Sequence, residues 1–171
     1  MRVWRPLSGA RHCGSVEPND RESGSWICDG LISAVRLAGL VRTVLFVCVE
    51  NSFRSVMAEA LFNANTPLGW KAISAGVDAV GKQINPLAYS LMEEIGVRVS
   101  KKRTQQVTPE MIQKAWRVVT FGCLDRCPAG AVGKNEDWPI PGSTGKTQAE
   151  LREIRSDLER RVFELLRRLP E

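Results

Sequence analysis

Two residues six positions apart carry the first chemical signal in this chain. In "VLFVCVENSFRS", residues 44–55, an apolar run ends at Cys48, and Arg54 follows. A cysteine attacks as its thiolate, yet the chain's single histidine, His12, lies far away in sequence. Position supplies another means of activation. If the apolar run is a strand and the residues beyond it start a helix, the backbone N–H groups of residues 49–55 and the helix dipole can hold a tetrahedral oxyanion. The same field favours a thiolate over a thiol. Arg54 adds a planar fork that grips two oxygens of one anion, which a lysine cannot copy. A lone cysteine after an apolar strand reads as core filling. The C-x5-R spacing at a strand-to-helix turn favours a nucleophile acting on a small oxyanion.

The second signal is "VVTFGCLDRCPAG", where Cys123 follows an apolar run just as Cys48 does, and Cys127 comes next. If the strands before the two cysteines are neighbours, about 4.8 Å apart, a moderate loop movement brings the sulfurs of Cys48 and Cys123 within bonding range. Three such thiols can pass a disulfide along by exchange. A helical C-x3-C would hold the two Cβ atoms about 5 to 6 Å apart, so pairing needs some unwinding, which Pro128 favours. A zinc half-site is the competing reading, but four ligands are needed and no second pair is in view. No metal is expected. Inert core cysteines are the other alternative.

The elements that must position these residues are legible from Arg42 onward. "RTVLFVC" is a buried parallel-type strand, and Val56, Met57, Ala60, Leu61 and Ala64 repeat at helical spacing after it. "WKAISAG" is a second strand. "NPLAYSLMEEIG" places Asn85 as N-cap, Pro86 at the first helical position and Gly96 past the end. "TPEMIQKA" repeats the capped start, "WRVVTFG" is a third strand, and "EDWPI" is expected as a fourth. Thr147 and Glu150 form a capping box ahead of a long helix with one apolar face. This alternation predicts one α/β domain over residues 42–171: a four-stranded parallel sheet flanked by helices on both faces.

Residues 1–41 read as an N-terminal extension, flexible or partly helical, whose His12, Cys13 and Cys28 repeat no ligand spacing. The composition, 43% hydrophobic and 25% charged over 171 residues, is that of a soluble globular protein. The formal charge of +5 is spread among acidic residues and forms no stripe, so no nucleic-acid partner is expected. Arg36 and Arg42 interrupt the longest apolar stretch, and the first thirty residues lack a secretory leader's apolar core, so no membrane association is expected. Five cysteines without a framework spacing point to a reducing cytoplasm. "GSTGKT" has Ile140 where a nucleotide-binding P-loop needs glycine.

"VLFVCVENSFRSVMAEALFN", together with "SAG" at residues 74–76, "NPLAYSLMEEIGV" and the terminal helix, resembles the low-molecular-weight protein-tyrosine phosphatase family and its thioredoxin-coupled arsenate reductase branch. The likeness covers about residues 42–169. It implies Cys48 as nucleophile, Arg54 as oxyanion ligand and Asn51 as the holder of the loop's strained shape. Ser52 and Ser55 would support the thiolate and the departing group, and Val49, Glu50 and Phe53 complete the anion loop. Glu50 stands where glycine is common, and must point outward. Phe53 stands where such reductases often carry another cysteine. The branch implies Cys123 and Cys127 as the resolving pair, no bound cofactor, and an external thiol reductant such as thioredoxin. The phosphatases place an aspartate in a "DP" pair on a late loop; here Gly142 or Ser143 takes that place, leaving Asp125, Glu136 or Asp137 as substitutes. The substrate implied is arsenate for a reductase, or a phosphotyrosine ester for a phosphatase.

Overall fold

Every side chain from Val44 to Cys48 is apolar and buried, which requires cover on both faces and places this strand inside a sheet. The computed structural model describes residues 41–123 and 133–170. Along the chain they form β1 (Arg42–Cys48), α1 (Arg54–Asn65), β2 (Trp70–Gly76) and α2 (Pro86–Glu93). Then come α3 (Pro109–Lys114), β3 (Arg117–Thr120), β4 (Asn135–Asp137) and α4 (Gln148–Arg167). The strands make one parallel sheet in the order β2-β1-β3-β4. Cys48 is level with Gly76, and Val47 with Thr120, so the carboxyl ends of β1, β2 and β3 lie side by side.

Strand alternation sorts the core into two layers. Val44, Phe46 and Cys48 pack with apolar residues of α1, α2 and α4. Leu45 and Val47 pack with Ala75, Val118, Cys123 and Ile112 of α3. Helices therefore cover both faces, as the sequence predicts. The expected helix starts are also present. The Asn85 side chain accepts from the Leu87 N–H at 3.0 Å, that of Thr108 from the Met111 N–H at 3.3 Å, and Thr147 and Glu150 close a reciprocal capping box. Each such cap contributes about 1 kcal/mol.

The edge of the sheet departs from expectation. β4 is Asn135–Asp137, shorter and slightly earlier than the expected "EDWPI". Pro139 has no N–H for a ladder, and Trp138 leaves the strand to bury its ring against Phe46 and Phe121, each 5.9 Å between centroids. β3 likewise stops at Thr120, because Gly122 turns the chain at φ +69°. Near the starts of β2 and β3, Trp70 and Trp116 meet edge to face at 4.9 Å, as packing anchors. Among the described residues no helix is long and apolar enough to cross a membrane. The expected extension falls outside the described residues, apart from Val41.

Candidate active site

The loop after β1 is held against β2 by backbone bonds. Val77 N–H reaches the Cys48 carbonyl at 3.0 Å, and Asp78 N–H reaches that of Val49 at 2.8 Å. The approach is close enough that a Cβ on Gly76 would stand 2.5 Å from the Val49 oxygen and 2.8 Å from the Asn51 nitrogen. Asn51 turns the loop at φ 55°, the one non-glycine residue with positive φ among those described. It is fully buried, and its backbone N–H and both side-chain polar atoms are engaged. Its N–H donates to Cys48 Sγ at 3.2 Å, and its Oδ1 accepts from Gln105 N–H at 3.0 Å. Its Nδ2 donates to Ser55 Oγ at 3.0 Å and Ser74 Oγ at 2.8 Å.

These bonds fix the direction of the next ones. Ser55 Oγ accepts from Asn51 and lies 3.0 Å from Cys48 Sγ, and toward the sulfur as a thiolate, which has no proton to give, this hydroxyl is the donor. Two donors thus converge on the sulfur. Ser74 in turn donates to Glu59 Oε2 at 2.5 Å and accepts from Lys102 Nζ at 3.1 Å, while Lys102 and Glu59 pair directly. Glu59, Ser74, Gln105 and Lys102 brace the loop from behind, and sequence reasoning did not single out any of these side chains as functional. The only hint was "SAG", whose serine and glycine both prove to be contact points.

Phe53 caps α1 by position but supplies no side-chain bond, unlike the N-cap residues of the other three described helices. The first N–H groups of α1 are therefore available to an anion. A cavity of about 220 Å³ opens in front of them. Cys48, Val49, Glu50, Ser52, Phe53 and Arg54 form one side; Gly142, Ser143 and Thr144 form the other. This is below the roughly 300 to 1,000 Å³ usual for drug-sized ligands and suits a small anion. Asn51 and Ser55, expected among the anion-loop residues, lie behind this wall. Glu50 is exposed, as expected, and its Oε2 accepts from the Ser52 hydroxyl at 3.2 Å. Ser52 therefore bonds to Glu50, and the hydroxyl on the sulfur is that of Ser55 alone.

Arg54 Nη1 donates to the carbonyls of Phe121 at 3.0 Å and Ile140 at 2.7 Å, tying the anion loop to the loops after β3 and β4. Of the three carboxylates considered as substitute acids, the two among the described residues are engaged elsewhere. Asp137 Oδ1 accepts from Thr120 Oγ1 and Gly122 N–H, and Glu136 pairs with Arg168 and Trp138 Nε1. Cys123 is fully buried, and its thiol donates to the Val47 carbonyl at 3.4 Å. Burial pushes that thiol up from its ordinary pKa, and the nearby Cys48 adds to the effect. Cys48 and Cys123 thus belong to opposite core layers. Asp125 and Cys127 lie outside the described residues. Among the described residues no three His, Cys, Asp or Glu side chains gather as a metal site.

The comparisons with known proteins fit this geometry. Residues 43–128 match the model of the low molecular weight phosphotyrosine protein phosphatase family. An arsenate reductase of Halalkalibacterium halodurans is 32% identical over 130 residues, which are 71% of this chain and 92% of that protein. Among solved structures, the thioredoxin-dependent arsenate reductase of Corynebacterium glutamicum is 29% identical with a TM-score of 0.65. That match covers 80% of this chain, which spans 65% of the other. A tyrosine phosphatase of Erwinia amylovora is 25% identical with a TM-score of 0.69, the match covering 77% of this chain and 95% of that one. With the family's model matched through the Cys48 loop and relatives aligned over most of their length, this chain belongs to the low molecular weight phosphotyrosine protein phosphatase family.

Proposed function

We propose that this protein reduces arsenate to arsenite by thiol chemistry in a reducing cytoplasm, drawing electrons from an external dithiol donor of the thioredoxin kind. The observation that carries this reading is the wall facing Cys48. Gly142, Ser143 and Thr144 offer no carboxylic acid to protonate an ester's leaving oxygen, whereas a second cysteine stands at the end of the adjacent strand. General-acid help contributes on the order of a hundredfold or more, so a facing wall without a carboxyl group among the described residues weighs against efficient ester hydrolysis. The relatives named arsenate reductase support the same reading.

In this mechanism the amides of the Cys48 loop and the α1 N-terminus cradle the anion, and Arg54 binds it through Nε and Nη2. Asn51 and Ser55 hold the sulfur's acceptor geometry. The Cys48 thiolate attacks arsenic, and a hydroxyl group takes a proton from solvent and leaves as water, giving a Cys48–S–As(V) adduct. Cys123, as thiolate, then attacks the Cys48 sulfur. The S–S bond forms, the S–As bond breaks with its electron pair left on arsenic, and As(III) departs as arsenite. Cys127 attacks Cys123 in turn and frees Cys48, and the external dithiol reduces the Cys123–Cys127 disulfide. No bound cofactor or metal takes part.

The family match and the shared anion cradle favour a second reading, hydrolysis of phosphotyrosine esters through a cysteinyl-phosphate. A parallel assay of arsenate reduction with a thioredoxin system and of aryl-phosphate hydrolysis separates the two. Cys123→Ser is expected to abolish reduction while leaving phosphate binding intact. Full arsenate turnover by that variant, or hydrolysis as the only activity of wild type, would overturn the reductase reading.

A further inference from the structure

The reductase reading requires Cys123 to leave a place where it is well held. Its sulfur is buried with Leu45, Val47, Ile112 and Val118, on the layer opposite to Cys48. The peptide just before it is held at both ends. The Phe121 carbonyl accepts from Arg54 Nη1 at 3.0 Å, and the N–H of the same peptide, belonging to Gly122, donates to Asp137 Oδ1 at 2.9 Å. That oxygen also accepts the Thr120 hydroxyl at 2.5 Å, so one carboxylate on the edge strand secures the end of β3 and the turn beyond it. Gly122 sits at φ +69°, where a residue without Cβ can swing without a side-chain clash. A peptide pinned between an anion-binding guanidinium and a carboxylate is a two-point clamp next to the thiol that must move.

We propose that Asp137 is a positioning residue for the thiol step: with Arg54 it clamps the Phe121–Gly122 peptide and stores Cys123 away from Cys48 until the clamp opens. This rests on the reductase reading. In the redox step itself Asp137 exchanges no electrons. The Cys123 proton passes to water, the Cys48–Cys123 bond replaces the Cys48–As bond, and arsenic takes the electron pair.

The test is the alkylation rate of each cysteine by iodoacetamide, followed by peptide mass spectrometry. Asp137→Ala removes a charged acceptor and is expected to raise Cys123 modification about tenfold relative to Cys48, whereas Asp137→Asn keeps an acceptor oxygen and stays near wild type. An unchanged ratio overturns the clamp, as does a rise at both thiols together, the sign of a generally loosened sheet. Hydrogen exchange on the unaltered protein gives a variant-free check: the Gly122 amide should be protected, and exchange at the open-chain rate overturns the clamp even if Asp137→Ala does not fold. Arsenite release from arsenate by wild type in a single turnover is read in parallel. If none is released, the reductase reading falls and takes the clamp's part in it along, whatever the alkylation ratio. If arsenite is released and the ratio is unchanged, only the clamp falls.

Discussion

Arg54 divides its guanidinium between two tasks. Nη1 is committed to two backbone carbonyls, which fixes the fork and leaves Nε and Nη2 for two oxygens of a single anion. Lysine offers one point charge and no plane, so it cannot serve both. Arg54→Lys is therefore expected to weaken phosphate binding by about tenfold or more, measured by calorimetry, since charge-assisted bonds contribute about 1.5 to 3 kcal/mol. Unchanged affinity would show that the backbone amides alone hold the anion. The two nucleophile candidates differ in the same local way. Cys48 receives two donors, whereas Cys123 donates its proton to a carbonyl inside an apolar layer. The sequence places both after apolar runs and marks Cys48 by its C-x5-R spacing, but it does not say which core layer each sulfur enters.

The elements succeed or fail as carriers of these residues. β2 ends in a glycine because the Cys48 loop rests on it, and the nearest atoms are backbone, which cannot turn aside. Gly76→Ala is expected to displace the loop and slow Cys48 alkylation at least severalfold, with the thermal midpoint lowered by several degrees, as overpacking at roughly 1 to 3 kcal/mol implies. α2 and α4 are joined through Glu94, which sits at the end of α2 and takes Arg152 and Arg155 of α4. Hydrogen bonds to those guanidiniums pull its carboxyl from 4.5 to about 2. A depressed carboxyl contributes stability that is complete above 4.5 and disappears as pH falls through about 2. Because Glu94 is exposed, the contribution is small and screened by salt. Urea unfolding of wild type and Glu94→Gln should therefore differ slightly at pH 6 and converge near pH 2; a constant gap would refute the linkage.

At the scale of the whole molecule, the architecture was readable because each local rule agreed with the next. β1 is a continuous apolar run, three helices open with a side-chain cap, and α4 carries a single apolar face. The edge was harder to read. β4 has three residues without a buried side chain among them, so hydrophobic pattern says nothing about where it starts. The site divides along the same line. C-x5-R lies within one turn and is visible as text, whereas Glu59 farther along α1 meets Ser74, Lys102 and Gln105, from two further segments, only in the folded chain. Asp137 belongs with them: its partners, Thr120 and Gly122, lie across the β3–β4 pairing.

The Arg54 bridge has a thermodynamic corollary. One side chain staples the loops beyond β3 and β4 to the mouth of the central strand, so an anion seated on it braces three strand ends at once. Inorganic phosphate, which the unfolded chain has no means to hold, should then act as a stabilising ligand. At a hundred times its dissociation constant it should add roughly 2.7 kcal/mol, visible as an upward drift of several degrees in a melting curve. Arg54→Lys should flatten that drift, and a melting curve of wild type indifferent to phosphate would mean that the staple and the anion are not connected.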